Sequence, residues 1–417
     1  MDEEYPYQKN KVHQGQVVAF IFVVLFLFVG MAIVISNTYL PYFSSDFFTF
    51  WLAGRLTLMG QDPYSEAQWL AGHTLYSATW IPNSIFPYPL PLALLLVPFG
   101  LFSQKTAYLL WVVVTNVFVA SSVLLVSKTW SKWNGTLALF TVISAFLFRP
   151  YLITVLSGQL VGLFLFVISL AMYFWHQEKW FLGGISVGFL SLKPSYGVLL
   201  LILLCIWFLR IRKTRAITGI VVINLILGLA GFLRNPNWMQ LFLATGQRKF
   251  SETIGLSPTI WSLGGLFCKG DNICTEWVGG CIVMVLLISY VLLISINRVG
   301  SQNTTIIVSL AIPLSLLFVP YNWAYDQILL IVSITYITGR FLHLPARFKL
   351  LPLFFPFFID IFALMLLLWA HSHGIDVWSL LLPTLIATII LFFLFAIKKN
   401  ITLETKGLKI INDDKIT

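Results

Sequence analysis

The sequence predicts an all-α polytopic membrane protein with about 12 transmembrane helices of roughly 20 residues each. Three observations carry that prediction. Hydrophobic residues make up 59% of the 417-residue chain and charged ones 10%, with a mean hydropathy of +0.89, whereas soluble domains carry about 25% charged residues. Long apolar runs recur along most of the chain. The basic residues gather in the short breaks between those runs rather than over one surface. The net charge of +10 therefore reads as a topological signal, and no nucleic-acid partner is expected.

Taken in order, residues 1–15 form a polar, mixed-charge tail. Val17–Ile35 carries no charge and, at about 1.5 Å per residue, is long enough to cross the hydrocarbon. That run is longer than a signal h-region, and no small-residue cleavage site follows near Pro41, so it reads as a retained anchor. A long loop at about residues 36–90 comes next. Phe47 to Met59 has helix-compatible composition, Gly60-Gln61-Asp62-Pro63-Tyr64 ends it in a turn, and Phe86-Pro87-Tyr88-Pro89-Leu90-Pro91 returns extended, because a residue before proline avoids the α region. Whether Tyr88–Phe102 crosses or only dips is open on charge alone, since Lys128, Lys132 and Lys179 barely separate the two.

Further runs lie at Leu109–Val126, Leu137–Phe148, Leu160–Trp175, Phe181–Leu192, Tyr196–Leu209, Ile217–Leu233, Trp277–Ile296, Thr304–Phe318, Ile328–Ile337, Leu350–Ala370 and Val377–Ile397. The basic breaks at Arg210–Arg215, Arg340–Lys349 and Lys398-Lys399 place themselves in the cytoplasm, with both termini. Residues 36–90 and 234–276 are then the large external loops of one transmembrane domain spanning 16–397, and 398–417 is a cytoplasmic tail. Cys205 and Cys281 fall in apolar runs and read as packing residues. Cys268 and Cys274 fall in an external loop, where a disulfide is one reading. No CxxC or Cys/His cluster suggests a metal, and no cofactor is expected.

Asp46 is the first candidate catalytic group, an acid next to a membrane lip. On an unbroken helix it shares a face with Thr49, Phe50, Ala53 and Thr57, whereas Arg55 points to the opposite side. Asp46 thus reads either as a proton acceptor or, beside Ser44 and Ser45, as a helix cap. In the second loop Arg248-Lys249 runs against the positive-inside trend and either binds phosphate or is simply solvated. Gly255 to Gly265 beyond it is rich in Gly, Ser and Pro. Trp51, Trp69, Trp80 and Tyr88 fit an ordinary interfacial belt. Within apolar stretches, Lys193 either acts on a ligand or snorkels, and Asp360 is either functional or helix–helix glue.

Several of these segments together resemble glycosyltransferase family 87 of the GT-C superfamily, the lipid-carrier-dependent glycosyltransferases. The matching pieces are Ser45-Asp46-Phe47 with Trp51-Leu52-Ala53-Gly54-Arg55, Gly60-Gln61-Asp62-Pro63-Tyr64, Phe86-Pro87-Tyr88-Pro89-Leu90-Pro91, Ser157-Gly158-Gln159, Gly188 with Leu192-Lys193-Pro194, and Pro320-Tyr321-Asn322-Trp323-Ala324-Tyr325-Asp326. The resemblance implies a multi-pass cell-membrane enzyme, a hexosyltransferase that takes mannose or a related sugar from a polyprenyl-phosphate donor. It implies that the first external loop supplies the catalytic acid, by position Asp46. The Gln159 and Lys193 turns then face the same side as Asp46, which requires Tyr88–Phe102 to dip.

The expected reaction is an inverting transfer to a lipid or glycan acceptor on the external face. Asp46 takes the acceptor proton, and Arg55, Lys193, Arg248 and Lys249 are candidates for the donor phosphate, which leaves as an anion without needing a metal. Trp51, Tyr64, Tyr88, Gln159, Trp323, Tyr325 and Asp326 are candidates for sugar or acceptor binding, with Tyr321 on the same wall, although Asp326 also reads as a helix cap. The rival reading is a lipid-linked-sugar flippase or secondary transporter built around Asp360. A glycosyltransferase-derived protein without activity is a third.

Overall fold

A computed structural model of the protein describes residues 45–78, 84–253, 257–296, 303–373 and 376–395. The expected anchor Val17–Ile35, both terminal tails, Trp80 and Lys398-Lys399 lie outside the described residues, as do the side chains of Arg248 and Lys249. All regular structure among the described residues is helical.

The chain begins with α1 (Ser45–Leu58) and α2 (Glu66–Leu75), then two short helices, α3 (Leu90–Leu95) and α4 (Val97–Gly100). The last two have 6 and 4 residues, so Tyr88–Phe102 builds no spanning helix, as a dipping segment requires. After them come α5 (Gln104–Ser127), α6 (Gly135–Leu147), α7 (Arg149–Ser157), α8 (Val161–His176) and α9 (Trp180–Gly188), which runs on as a 3-10 turn to Leu192. The series continues through α10 (Pro194–Arg210), α11 (Thr214–Arg234), α12 (Trp238–Thr253), α13 (Ile260–Phe267), α14 (Asn272–Ile296), α15 (Thr304–Phe318), α16 (Leu330–Phe341) and α17 (Leu351–His373). A last helical span, α18, covers Asp376–Phe395.

Five helices, α5, α11, α14, α17 and α18, are long and apolar enough to cross a membrane, and the bent pair α6–α7 makes up to six. Several expected runs form apolar helices shorter than a full span, among them α8, α10 and α15. The region expected as a single loop at 234–276 holds two helices, because the apolar residues of α12 and α13 recur at helical spacing. Cys281, expected to pack, is exposed, which suits the lipid-facing side of α14.

Local signals set the breaks. Ser103 Oγ accepts the Thr106 N–H at the start of α5, and Asn134 Oδ1 accepts that of Leu137 at 2.8 Å at the start of α6, satisfying donors that a helix leaves orphaned. Pro150 and Pro194 stand in the first turns of α7 and α10, where their missing N–H costs nothing. The α6–α7 pair bends by 57° at that break. Gly158 closes α7 in the left-handed region, with φ of 69°.

The ends of the helices sort into two layers. At one end the turns before α9 and α11 meet through Lys213 and Glu178, 3.2 Å apart. At the other, Asn235 Nδ2 donates to Asp62 Oδ2 at 2.7 Å and Arg234 Nη2 to the Gln61 carbonyl at 2.8 Å, tying the end of α11 to the turn after α1. Gln159 and Lys193 belong to this second layer, at the opposite ends of α8 and α10 from His176 and Arg210. Phe47 comes there too, its ring 5.4 Å from that of Tyr108. A Cβ on Gly158 would collide with the Phe47 side chain.

Candidate active site

Four pieces of chain meet in the second layer. The N-terminal turn of α1 carries Asp46, the extended Phe86–Pro89 strip carries Tyr88, the break between α9 and α10 carries Lys193, and the 319–329 connection between α15 and α16 carries Tyr321, Trp323, Tyr325 and Asp326. A cleft of about 580 Å³, counted with its open mouth, is lined by the last three of them and by α12, and Asp46 is not among its lining residues.

Lys193 and Asp326 form its charged element. Both are buried, at 5% and 1% exposure, and Lys193 Nζ is ion-paired with Asp326 Oδ1. Of the two readings of Lys193, snorkelling is therefore set aside: between the 3-10 turn and α10 the side chain meets a partner 133 residues away. Its ammonium also sits over the rings of Tyr325 and Tyr196, 4.8 and 5.3 Å from their centroids. Asp326 has a second task. Its Oδ2 accepts the Trp323 N–H at 3.0 Å, so the capping role is real and coexists with the ion pair.

The cleft is walled by aromatics. Burial, with the Asp46 and Asp326 carboxylates and Tyr321, holds the Tyr88 phenol well above its usual pKa. Burial, Asp326, Tyr88, Asp46 and Tyr196 do the same for Tyr325. Asp46, half-buried, thus lies near enough to act electrostatically on two cleft-lining phenols, and it has interactions of its own. The tyrosines stay neutral donors at any physiological pH.

Other expected site residues are placed elsewhere. Arg55 donates through Nη1 to the Gly100 carbonyl at 2.9 Å and through Nε to Tyr76 Oη at 3.2 Å. Trp51 Nε1 donates to the Phe102 carbonyl at 3.1 Å, and Tyr64 Oη to that of Tyr88. These three tie α1 and its turn to the Tyr88–Phe102 segment. Gln159 is buried at 1% exposure; its carbonyl accepts Trp111 Nε1 at 3.3 Å, while its Oε1 has no partner among the described residues. None of the four lines the cleft.

The sequence reading missed Phe242, Thr245 and Gly246 of α12, and Ser195, all of which line the cleft. For the three on α12 the only advance signal was the helical spacing of apolar residues inside a segment read as loop. It also missed the brace behind the 319–329 connection. Arg149 Nη2 lies 3.1 Å from Asp376 Oδ1 and Nη1 donates to Ser379 Oγ at 2.9 Å, while Gln327 Nε2 donates to the Ser379 carbonyl at 2.9 Å. Asp360 is remote from the cleft: its Oδ2 accepts Ser144 Oγ at 2.6 Å between α17 and α6. No group of metal-ligating side chains occurs among the described residues.

A family model of glycosyltransferase family 87 matches residues 86–320, more than half of the chain. The protein belongs to glycosyltransferase family 87. It is a membrane glycosyltransferase, consistent with the GT-C superfamily. The family match takes in Tyr88, Lys193, α12 and Tyr108, and stops just short of the Tyr321–Asp326 wall. A comparison with curated proteins finds no match.

Proposed function

We propose that the protein transfers a hexose, mannose in the first instance, from a polyprenyl-phosphate sugar to a lipid or glycan acceptor, with inversion and with Asp46 as general base. The observation that carries this reading is the cleft itself, where a buried cation, an aromatic wall and a nearby half-buried carboxylate converge. Sugar rings stack on aromatic faces, and Tyr88, Trp323 and Tyr325 offer them beside the Lys193 ammonium. As the glycosidic bond breaks, negative charge grows on the departing phosphate, and Lys193 answers it from a site where water is scarce. Asp46 accepts the acceptor's hydroxyl proton as that oxygen attacks the anomeric carbon, a contribution of about 10²–10⁴-fold.

Arg248 and Lys249 lie on α12, whose backbone borders the cleft, and are proposed as further phosphate contacts. Arg55, Trp51, Tyr64 and Gln159 are assigned to shaping the site through the bonds described above. Counting the shorter apolar helices and the anchor Val17–Ile35 as crossings gives about 12, with both termini in the cytoplasm and the cleft on the external face of the cell membrane. Asp360, on which a carrier would depend, serves here as a tie between α6 and α17. The deciding experiment incubates purified protein with a panel of radiolabelled polyprenyl-phosphate sugars. Release of polyprenyl phosphate with one sugar and an acceptor lipid extract is expected. Translocation of the donor across proteoliposomes without any transfer would overturn the assignment.

A further inference from the structure

Gly246 stands at the ninth position of the 16-residue helix α12. A glycine in a helix interior is destabilising relative to alanine, because it surrenders more backbone freedom on folding. Helices keep such glycines where a left-handed turn or a close neighbour demands them, and neither applies here. Gly246 has no positive φ, and a Cβ built on it would meet no atom of the described residues within 4 Å. The empty space in front of it is the cleft, which Gly246 lines together with Phe242 and Thr245, one helical turn apart. Across that space lie Lys193 and Ser195, and Ser195 Oγ is buried with no hydrogen-bond partner among the described residues.

On the same side of the helix, at about 100° per residue, Met239 and Leu243 fall within roughly 60° of Gly246, and they are 42% and 61% exposed. An exposed apolar strip thus runs along the cleft-bordering side of α12, a surface that suits contact with lipid. A substrate that follows that strip to Lys193 passes Gly246.

We propose that Gly246 is a specificity-determining residue, whose missing side chain leaves room for the phosphate and first isoprenyl unit of a polyprenyl phosphate between α12 and Lys193. This rests on the donor class proposed above. Bulk at position 246 then excludes the ligand without disturbing the fold, since the added atoms enter space that no described residue occupies.

The test compares Gly246→Ala, Gly246→Leu and Gly246→Phe with wild type in detergent, reading thermal unfolding, binding of decaprenyl phosphate and donor KM. The Tm is expected to equal or exceed that of wild type in all three variants. Affinity for decaprenyl phosphate should fall stepwise with side-chain size, by about tenfold or more at Phe, with donor KM rising in parallel. Ala244→Phe, exposed and roughly 160° round α12 from Gly246, should bind as wild type does. Undiminished binding by a stable Gly246→Phe protein would overturn the inference, and so would an equal loss in the Ala and Phe variants. If wild type itself binds no decaprenyl phosphate and transfers no sugar, the proposed donor class fails instead.

Discussion

At the scale of single residues, Asp46 and the Lys193–Asp326 pair carry the most. Asp46→Asn keeps shape and capping ability but loses basicity; it is expected to leave the Tm of the purified protein nearly unchanged while transfer falls by at least about 10²-fold. A variant that melts much lower would mark Asp46 as a cap instead. Asp326→Ala should cost about 3–5 kcal/mol, because it strands a buried ammonium. The double variant Lys193→Met/Asp326→Leu should recover most of that stability and none of the activity, a pattern readable from paired melts and transfer assays. Lys193 and Asp326 were each visible in the sequence as unusual, but their pairing was not. Nothing local marks a contact made across 133 residues, and an isolated lysine in an apolar stretch reads equally well as snorkelling.

At the scale of elements, the attachment of α1 to the Tyr88–Phe102 segment is built on close backbone approach. A Cβ on Gly100 would lie 2.7 Å from the Arg55 amide nitrogen, closer than any real carbon sits. Gly100→Ala is therefore expected to lower stability by about 1–3 kcal/mol, measured as a fall in Tm, and to reduce transfer, since α1 positions Asp46. The neighbouring α2 is held by His73, fully buried, with Nδ1 bonded to the Trp69 carbonyl at 2.8 Å and its ring against Phe48. Burial lowers the His73 pKa, against the Trp69 carbonyl, which raises it. The unfolded chain takes up a proton near pH 6.5 that the folded chain refuses. That stability is complete above about pH 6.5 and is lost as pH falls through the folded value. Acidification below about pH 6.5 should lower the Tm of wild type more than that of His73→Phe. The sequence pointed to α1 through its composition and to the extended strip through its prolines. It hid α12 and α13, because turn-forming residues around Gly255 masked the apolar spacing on either side.

At the scale of the molecule, composition and charge placement made the class legible: a helical membrane protein with long polar connections on one side. The number of crossings was less legible, since helices such as α8 and α10 are shorter than a full span, and hydropathy counts runs rather than lengths. The proposed orientation gives a direct expectation. With Cys268 and Cys274 joined in a disulfide and Cys205 and Cys281 replaced by serine, cysteines introduced at Glu66 and Asn237, both exposed, should react with a membrane-impermeant maleimide added to intact cells. A cysteine at Arg212, exposed at the other end of α11, should react only after the membrane is broken. Labelling of Arg212 and Asn237 from the same side would show that α11 does not cross.

The long reach of the Lys193 contact also sets an order of events during synthesis. At about 5–20 residues per second, the ribosome needs roughly 7–27 s after Lys193 to make Asp326, and the aspartate that clasps Arg149 comes later still. Through that interval the nascent chain holds two uncompensated cations in the helices already handed to the membrane. A product that stops at the end of the family match, near residue 320, never acquires either counter-charge, and quality-control proteolysis should clear it while the full-length chain persists.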